Sequence, residues 1–303
     1  MRIALGPLLY YWPRETVLRF YEDIASSAAD IVYLGEVVCS RRHELYFDDW
    51  VAIGEKLAAA GKEVVLSAQA LTESEGDLKL VRRLAEQGRW RVEANDMGAV
   101  HLLAGHTGWV AGPHLNIYNP RTLTMLAELG ATRWVAPVEV TRELLAGVLA
   151  ERPTGVEAEL FAYGRLPLAF SARCFTARRF NLQKEKCGYR CLEFPDGMLL
   201  NTREGQPFLV MNGVQTQSAR VYNLVGDLAS IRATGVDIMR ISPQSQGTVR
   251  VLEIVRGVLA GKISPPAAQE TLASLLPAEA CDGFWHGRPG IEGSVLQKER
   301  ADA

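Results

Sequence analysis

Short apolar runs that alternate with helical patterns constrain the fold of this chain more than any other feature. Strands alternating with helices of about 10–15 residues indicate right-handed βαβ units and a parallel sheet. Eight runs have strand character, and most of them carry β-branched residues. They are Ile3–Leu9, Ile31–Leu34, Glu63–Ser67, Arg91–Ala94, Trp109–Ala111, Arg133–Ala136, Val156–Phe161 and Ile238–Ile241.

Helical patterns separate most of these runs, at Glu15–Ala29, Trp50–Ala60, Leu78–Gln87, Met97–Ala104, Pro120–Leu129 and Thr141–Leu149. Eight strand units of this kind favour a closed (β/α)8 TIM-type barrel, complete or lacking part of a unit, over an open doubly wound sheet. We therefore expect a single domain over residues 1–303.

The alternation breaks between about Cys174 and Leu228. This segment contains three cysteines, turn signals and a β-rich run, Pro207–Val210, and predicts a cysteine-bearing insertion over about 174–228, after the seventh strand. Loops that follow barrel strands emerge at the face where active sites lie. Residues from about 263 to 303 form a C-terminal extension, with a short helix and a charged end that we expect to fray.

Four of the five cysteines have the distribution of a metal site. Cys174, Cys187 and Cys191 lie in the insertion, and Cys39 follows the second predicted strand, so all four can meet at one end of the barrel. Cys187 and Cys191 are four residues apart, and on a helical turn their sulfurs would point the same way. Nearby cations lower thiol pKa values and offset the charge of a cysteine-ligated cluster. The candidates are Arg173, Arg178, Arg179, Lys184, Lys186 and Arg190.

Two alternatives to a cluster stay open for these cysteines. They could be independent core residues, or they could hold a structural zinc ion, which four thiolates also bind. Paired CxxC motifs would favour zinc, whereas the uneven spacing here suits an iron–sulfur cluster better. Cys281 lies in an apolar context and is expected to stay outside the site.

Polar residues at strand ends supply further candidates, and the catalytic ones are Glu36, His114 and Glu159. Glu36 stands three residues before Cys39, although it could instead form a salt bridge to Arg41 or Arg42. His114 could act as a general acid or a substrate donor, or be a hydrogen-bonded structural histidine. The other polar residues at these ends are Gln69, Glu93, Asn95, Asn116, Glu139, Tyr163, Arg240 and Ser242.

The composition of the chain narrows the classes of function that remain possible. The chain is 48% hydrophobic with a net charge of −2, so no overall basic excess points to a nucleic acid, and we expect no DNA partner. The N-terminus lacks a signal-peptide pattern and no run is long enough to span a membrane, which predicts a cytoplasmic, reducing location. Phosphate-binding glycine loops, GxSxG elbows and HExxH motifs are absent.

The run EAELFAYGRLPLAFSARCF resembles the signature of peptidase family U32, the collagenase-like peptidases. Its matching positions are Glu159, Phe161, Gly164, Leu166 and Cys174, whereas Arg165, Pro167 and Ala172 depart from it. Pro167 stands where the signature has its first cysteine. If the motif cysteines ligate a cluster, the fourth thiolate must come from elsewhere, and Cys39 is the natural substitute.

Together with GPLLYYWPRET, IVYLGEVVCSRR, NGVQTQSARVYNL and MRISPQ, this run resembles in particular the branch of the family that acts in ubiquinone biosynthesis. The resemblance implies a [4Fe-4S] cluster on Cys39, Cys174, Cys187 and Cys191. It implies a UbiU-like partner of the same family in a heterodimer, and oxygen-independent hydroxylation of ubiquinone precursors during anaerobic growth, with prephenate as a candidate hydroxyl donor.

Two other functions stay open. Some members of the family hydroxylate RNA, and the basic residues at positions 173–190 could contact phosphates. A peptidase is the function that the family name suggests, but no nucleophile–base pair is apparent in the sequence.

Overall fold

Eight parallel strands close into a barrel in the computed structural model, which describes residues 1–293. The eighth barrel strand pairs with both the first and the seventh, so the barrel is complete. This confirms the predicted (β/α)8 fold. The barrel strands are β1 (Arg2–Leu5), β2 (Ile31–Leu34), β3 (Glu63–Ser67), β4 (Arg91–Ala94), β5 (Trp109–Ala111), β6 (Ala131–Val135), β7 (Glu157–Gly164) and β13 (Ile238–Ile241).

Three barrel strands differ from their predicted bounds, and β6 does so by beginning at Ala131 instead of Arg133 and ending at Val135 instead of Ala136. The first stops at Leu5 instead of Leu9, because Pro7 has no N–H to donate to a neighbouring strand. The seventh continues beyond Phe161 to Gly164, because its last residues pair with an additional antiparallel strand, β12 (Val221–Asn223).

Ten helices occur in the described residues, and those around the barrel bury its outer face. Outward-facing strand residues such as Leu34 and Leu66 join the helices in one apolar core. Helices α1, α2 and α3 begin earlier than predicted, at Arg14, Phe47 and Glu75. The start of α3 is fixed by a capping box, in which Ser74 and Asp77 each accept a backbone N–H of the other. The helices are α1 (Arg14–Ala25), α2 (Phe47–Ala59), α3 (Glu75–Glu86), α4 (Met97–Leu103), α5 (Pro120–Glu128), α6 (Arg142–Ala150), α7 (Phe175–Arg179), α8 (Leu228–Ala233), α9 (Thr248–Leu259) and α10 (Pro265–Ala273).

The barrel interior combines small apolar side chains with a buried ion-pair network. Arg240 donates to Glu93 at 2.7 Å and to Glu159 at 2.6 Å, and all three side chains are almost fully buried. Tyr33 donates its hydroxyl hydrogen to Glu159 at 2.6 Å. Burying an arginine between two carboxylates satisfies all three charges where water is excluded.

A four-stranded antiparallel sheet lies outside the barrel, in the order β8-β11-β10-β9. Its strands are β8 (Pro167–Phe170), β9 (Met198–Asn201), β10 (Pro207–Asn212) and β11 (Gln215–Ser218). The added structure therefore begins upstream of Cys174. The Asn212 amide donates to the Leu9 carbonyl at 2.7 Å, and the Phe170 ring lies 4.7 Å from the His114 ring, so the sheet packs over the carboxyl ends of the barrel strands.

The C-terminal extension adds α10 and a short strand, β14 (Ala280–Cys281), which pairs in parallel with β12. The charged end that we expect to fray, residues 297–303, lies outside the described residues. Within residues 1–293, none of the helices combines the length and the apolar content that crossing a membrane requires.

Candidate metal centre

The structure brings Cys39, Cys174, Cys187 and Cys191 together around one small cavity. One wall is the loop that follows β2, and the other is the insertion between β8 and β9. Cys174 is buried, and the other three are partly exposed. Cys281 is buried in β14 and does not line this cavity.

Glu36 fixes the loop that carries Cys39. The chain leaves β2 at Gly35 with φ +125°, and a Cβ there would lie 2.7 Å from the Ser67 carbonyl oxygen, so only glycine fits. The Glu36 carboxylate then accepts the backbone N–H groups of Val38 at 2.9 Å and Cys39 at 3.0 Å. Glu36 therefore stabilises the conformation of the loop that carries Cys39.

The tip of the β10–β11 hairpin positions Cys174. Gly213 donates its backbone N–H to the Thr176 hydroxyl at 3.0 Å and accepts the N–H of Phe175 at 2.8 Å. The Cys174 sulfur accepts the N–H of Ala177 at 3.4 Å, at the start of α7.

Cys187 and Cys191 do not share a helical turn, the geometry that their four-residue spacing would allow. Gly188 and Tyr189 lie between them with φ values of 58° and 53°, a left-handed turn that a regular helix does not contain. A short 3-10 turn, Arg190–Glu193, follows and carries Cys191. Both cysteines nevertheless face the same cavity.

Arg42 links the two walls of the site, and its side chain is almost fully buried. Its guanidinium donates to the Leu9 carbonyl at 2.8 Å and to the Asn212 side-chain oxygen at 2.7 Å. It also lies 3.5 Å from Glu36, which confirms the salt bridge considered for that residue. The guanidinium carbon lies 5.4 Å from the centre of the Tyr11 ring. Sequence reasoning considered Arg42 only as a partner of Glu36, because CSRR does not show which arginine is buried.

Burial dominates the electrostatics of the cysteines. It raises the pKa of Cys39 to about 11 and also raises that of Cys191, while the Arg42 charge opposes both shifts. The pKa values of Cys39 and Cys191 are thus raised, whereas the sequence predicted that nearby cations would lower them. The cation that opposes the rise is Arg42, which lies in the loop that carries Cys39. Because metals bind thiolates, loading this site must release protons.

Much of the basic surface of the insertion stays exposed. Lys184 pairs with Glu73, and Arg190 pairs with Glu193 at 2.9 Å. Four other cations are exposed and form no ion pair within residues 1–293: Arg173, Arg178, Arg179 and Lys186. Offsetting the negative charge of the cysteine thiolates therefore does not explain all six cations that the sequence places near Cys174, Cys187 and Cys191.

Glu159 and His114 lie outside the cysteine cavity. The Glu159 carboxylate is held by Tyr33 and Arg240 inside the barrel, so it belongs to the buried ion-pair network. Burial lowers the pKa of His114 to about 4, with Glu93 opposing the shift and Arg240 reinforcing it. The His114 ring is therefore uncharged at neutral pH.

A second cluster of ligating side chains lies at the C-terminal extension, where Asp227, Asp282 and His286 have donor atoms within 4.8 Å of one another. Sequence reasoning did not identify this cluster, because Asp227 lies far from Asp282 and His286 in the sequence. Arg288 lies 3.5 Å from Asp282, and His286 lies 3.5 Å from Asp227. These contacts describe an ion-pair cluster.

The fold and the site define a (β/α)8 barrel whose mouth carries a cavity lined by four cysteines. The sequence profile of peptidase family U32 matches residues 18–293. The chain belongs to that family.

Solved structures with similar folds include a U32 peptidase, with 13% identity, coverage of 80% of this chain and 93% of that chain, and a TM-score of 0.45. Another is a dihydrodipicolinate synthase from Bacillus anthracis, with 8% identity, coverage of 89% and 78%, and a TM-score of 0.47. A spore cortex-lytic enzyme from Bacillus megaterium has 10% identity, coverage of 84% and 74%, and a TM-score of 0.42.

Proposed function

We propose that Cys39, Cys174, Cys187 and Cys191 hold a [4Fe-4S] cluster. In this proposal the chain is the iron–sulfur subunit of an oxygen-independent hydroxylation system for ubiquinone biosynthesis, working with a UbiU-like partner. The observation that carries the proposal is the convergence of the four cysteines on one cavity from two distant segments. The sequence resemblance to the ubiquinone biosynthesis protein UbiV supports the choice of pathway and partner.

The uneven spacing of the four cysteines along the chain favours a cluster over a single zinc ion. Structural zinc sites typically carry paired CxxC motifs, and this sequence has none.

The side chains around the cysteines suit a negatively charged centre. A bound cluster would supply one-electron transfer, and four protein thiolates would leave no iron site open to a substrate. Arg42 holds a permanent positive charge beside Cys39 and Cys191. Glu36 holds the backbone of the Cys39 loop in place.

Anaerobic purification, alone and with a coexpressed UbiU-like partner, tests this proposal. We expect about four irons and four sulfides per chain, a visible spectrum bleached by dithionite, and co-purification of the partner. A chain that binds stoichiometric zinc and no iron after anaerobic expression would contradict the cluster. A full cluster without hydroxylation of a ubiquinone precursor by the complex would contradict the pathway.

RNA modification is a second candidate, and the four exposed cations near the cysteines favour it. Exposed arginines and lysines contact phosphates and make binding depend on salt. Replacing Arg178 and Arg179 with glutamine should reduce the salt dependence of RNA binding. Binding of single-stranded RNA only at low salt, with no change in this double variant, would argue against the candidate.

Burial argues against Cys39 and Cys281 as the nucleophile of a peptidase. A cysteine nucleophile needs a lowered pKa, whereas burial raises the pKa values of Cys39 and Cys281 to about 11 and about 12.

A further inference from the structure

The insertion that carries three of the cysteines has a strong positive charge. Between positions 173 and 193 it contains six arginines and lysines and two acids, a net charge of +4, whereas the whole chain has a net charge of −2. Four of these cations are exposed and form no ion pair within residues 1–293, and we refer to them as the basic surface: Arg173, Arg178, Arg179 and Lys186. A patch of one charge raises the rate at which a partner of opposite charge arrives.

Two cations of the basic surface adjoin metal ligands along the chain. Arg173 directly precedes Cys174, and Lys186 directly precedes Cys187. Cys187 and Cys191 are partly exposed, so the proposed cluster would reach the protein surface next to these cations. A partner that binds the cations is therefore brought to the edge of the metal centre.

The end of α7 holds the other two cations beside the same centre. Arg178 and Arg179 are the last residues of this helix. The guanidinium carbon of Arg190 lies 4.2 Å from the centre of the Phe180 ring, which packs the end of α7 against the turn that carries Cys191. Both exposed arginines therefore belong to an element that packs against a metal ligand's own turn.

The basic surface includes little exposed apolar area. Two large apolar side chains are exposed between positions 173 and 193, Leu182 at 37% and Tyr189 at 40%, and Tyr189 also lines the cysteine cavity. Permanent subunit interfaces are more apolar and have few charged residues at their core, whereas the interfaces of weak electron-transfer complexes are small. Cations without ion pairs around a small apolar area suit the second kind of interface.

We propose that the basic surface docks an acidic protein that carries one electron, of the ferredoxin class. In the docked complex the reduced carrier loses one electron and the cluster gains it, and no bond or proton is exchanged. RNA would contact the same cations, but it has no use for the exposed edge of a centre whose four protein thiolates leave no iron open. The inference rests on the proposed cluster as the electron acceptor, while the charge and exposure of the surface stand without it.

Electron transfer from a reduced plant-type [2Fe-2S] ferredoxin to the full chain, purified anaerobically with its cluster, tests this inference. Rapid-freeze EPR distinguishes the two reduced centres and gives the rate of transfer. The second-order rate constant should fall at least about tenfold between about 0.01 M and about 1 M salt, because salt screens the attraction.

Reversing two charges of the basic surface should remove most of this attraction. Arg178→Glu combined with Arg179→Glu should lower the rate constant at low salt at least about tenfold and abolish most of its salt dependence. Calorimetry with oxidised ferredoxin should show an affinity loss of at least about tenfold, which is independent of electron transfer.

Arg232→Glu combined with Lys262→Glu is the matched control, because it changes the net charge equally. Both residues are exposed and form no ion pair in the part of the chain that the structure describes. They follow or end α8 and α9 at the amino end of β13, away from the cysteines, and Arg232 donates to the Leu259 carbonyl at 3.4 Å. We expect a rate constant within about twofold of the wild type. Photoreduced deazariboflavin, a small neutral reductant, should reduce the cluster equally in all three proteins.

The outcomes separate this inference from the proposed function. Equal ferredoxin rates and affinities in all three proteins, or no transfer to a cluster that deazariboflavin reduces, would overturn the docking surface and leave the cluster intact. Tight RNA binding that only the Arg178→Glu and Arg179→Glu variant loses, without ferredoxin binding, would assign the surface to RNA and also overturn the inference. A chain that never assembles a cluster would overturn both proposals. Salt-dependent reduction by ferredoxin without hydroxylation of a ubiquinone precursor would support the docking surface and overturn the pathway.

Discussion

Replacing Arg42 with methionine removes a side chain that contacts the N-terminal segment, the Cys39 loop and the added sheet. Methionine keeps much of the length of the side chain and removes the charge and the donors. Two charge-assisted hydrogen bonds are lost, to the Leu9 carbonyl at 2.8 Å and to Asn212 at 2.7 Å. Glu36, 3.5 Å away, also loses its counter-charge.

The loss of stability that we expect for Arg42→Met follows from the burial of the Arg42 side chain. Removing one partner of a buried charge pair destabilises a protein by about 3–5 kcal/mol, because the remaining charge is left uncompensated. Two hydrogen bonds from a charged donor, worth about 1.5–3 kcal/mol each, give a similar figure. We expect Arg42→Met to lower the free energy of unfolding by about 3–5 kcal/mol, measured by urea denaturation of the chain without metal.

Arg41→Met is the matched control, because Arg41 is the neighbouring arginine and is more exposed. Its one hydrogen bond within residues 1–293 runs to the Glu185 carbonyl at 2.9 Å. Its loss should cost about 1 kcal/mol or less. If the two variants differ by less than about 1 kcal/mol, Arg42 does not hold the site together as we argue.

Arg240→Met should also lower the free energy of unfolding by about 3–5 kcal/mol, because it leaves two buried carboxylates without a counter-charge. Arg250→Met, which removes an exposed ion pair on α9, should lower it by less than about 1 kcal/mol. Equal losses in urea denaturation would contradict this difference. The folded-state pKa of His114, about 4, lies below its ordinary 6.5, so the unfolded chain binds a proton first as the pH falls. Between pH 6.5 and 4 the wild type should therefore lose up to about 3 kcal/mol more stability than His114→Gln, and parallel pH profiles of the two proteins would contradict the lowered pKa of His114.

The barrel could be predicted from the sequence because its signal is local. Five of the predicted strands, among them Ile31–Leu34 and Ile238–Ile241, have the predicted ends, since each short apolar run is bounded by turn residues. Strand ends that depend on distant pairing were missed. Gly164 extends β7 because Tyr222 pairs with it, and nothing near Gly164 in the sequence shows this contact.

The convergence of the four cysteines could be predicted from the sequence, whereas the residues that hold them in place could not. Cysteine spacing and the loss of the motif cysteine at Pro167 singled out Cys39, which the structure places beside the other three. The role of Arg42 depends on Leu9 and Asn212, which lie far apart in the sequence. The conformation at Tyr189 was missed because a non-glycine residue in the left-handed region leaves little trace in a sequence.

Iron and sulfide content after anaerobic purification tests the central claim most directly, measured in the wild type, in Cys39→Ala and in Cys281→Ala. We expect about four irons per chain in the wild type and in Cys281→Ala, because Cys281 is buried in β14 and does not line the cysteine cavity. Cys39→Ala should lose the intact four-iron cluster. Retention of a full cluster in Cys39→Ala would contradict the four-cysteine centre.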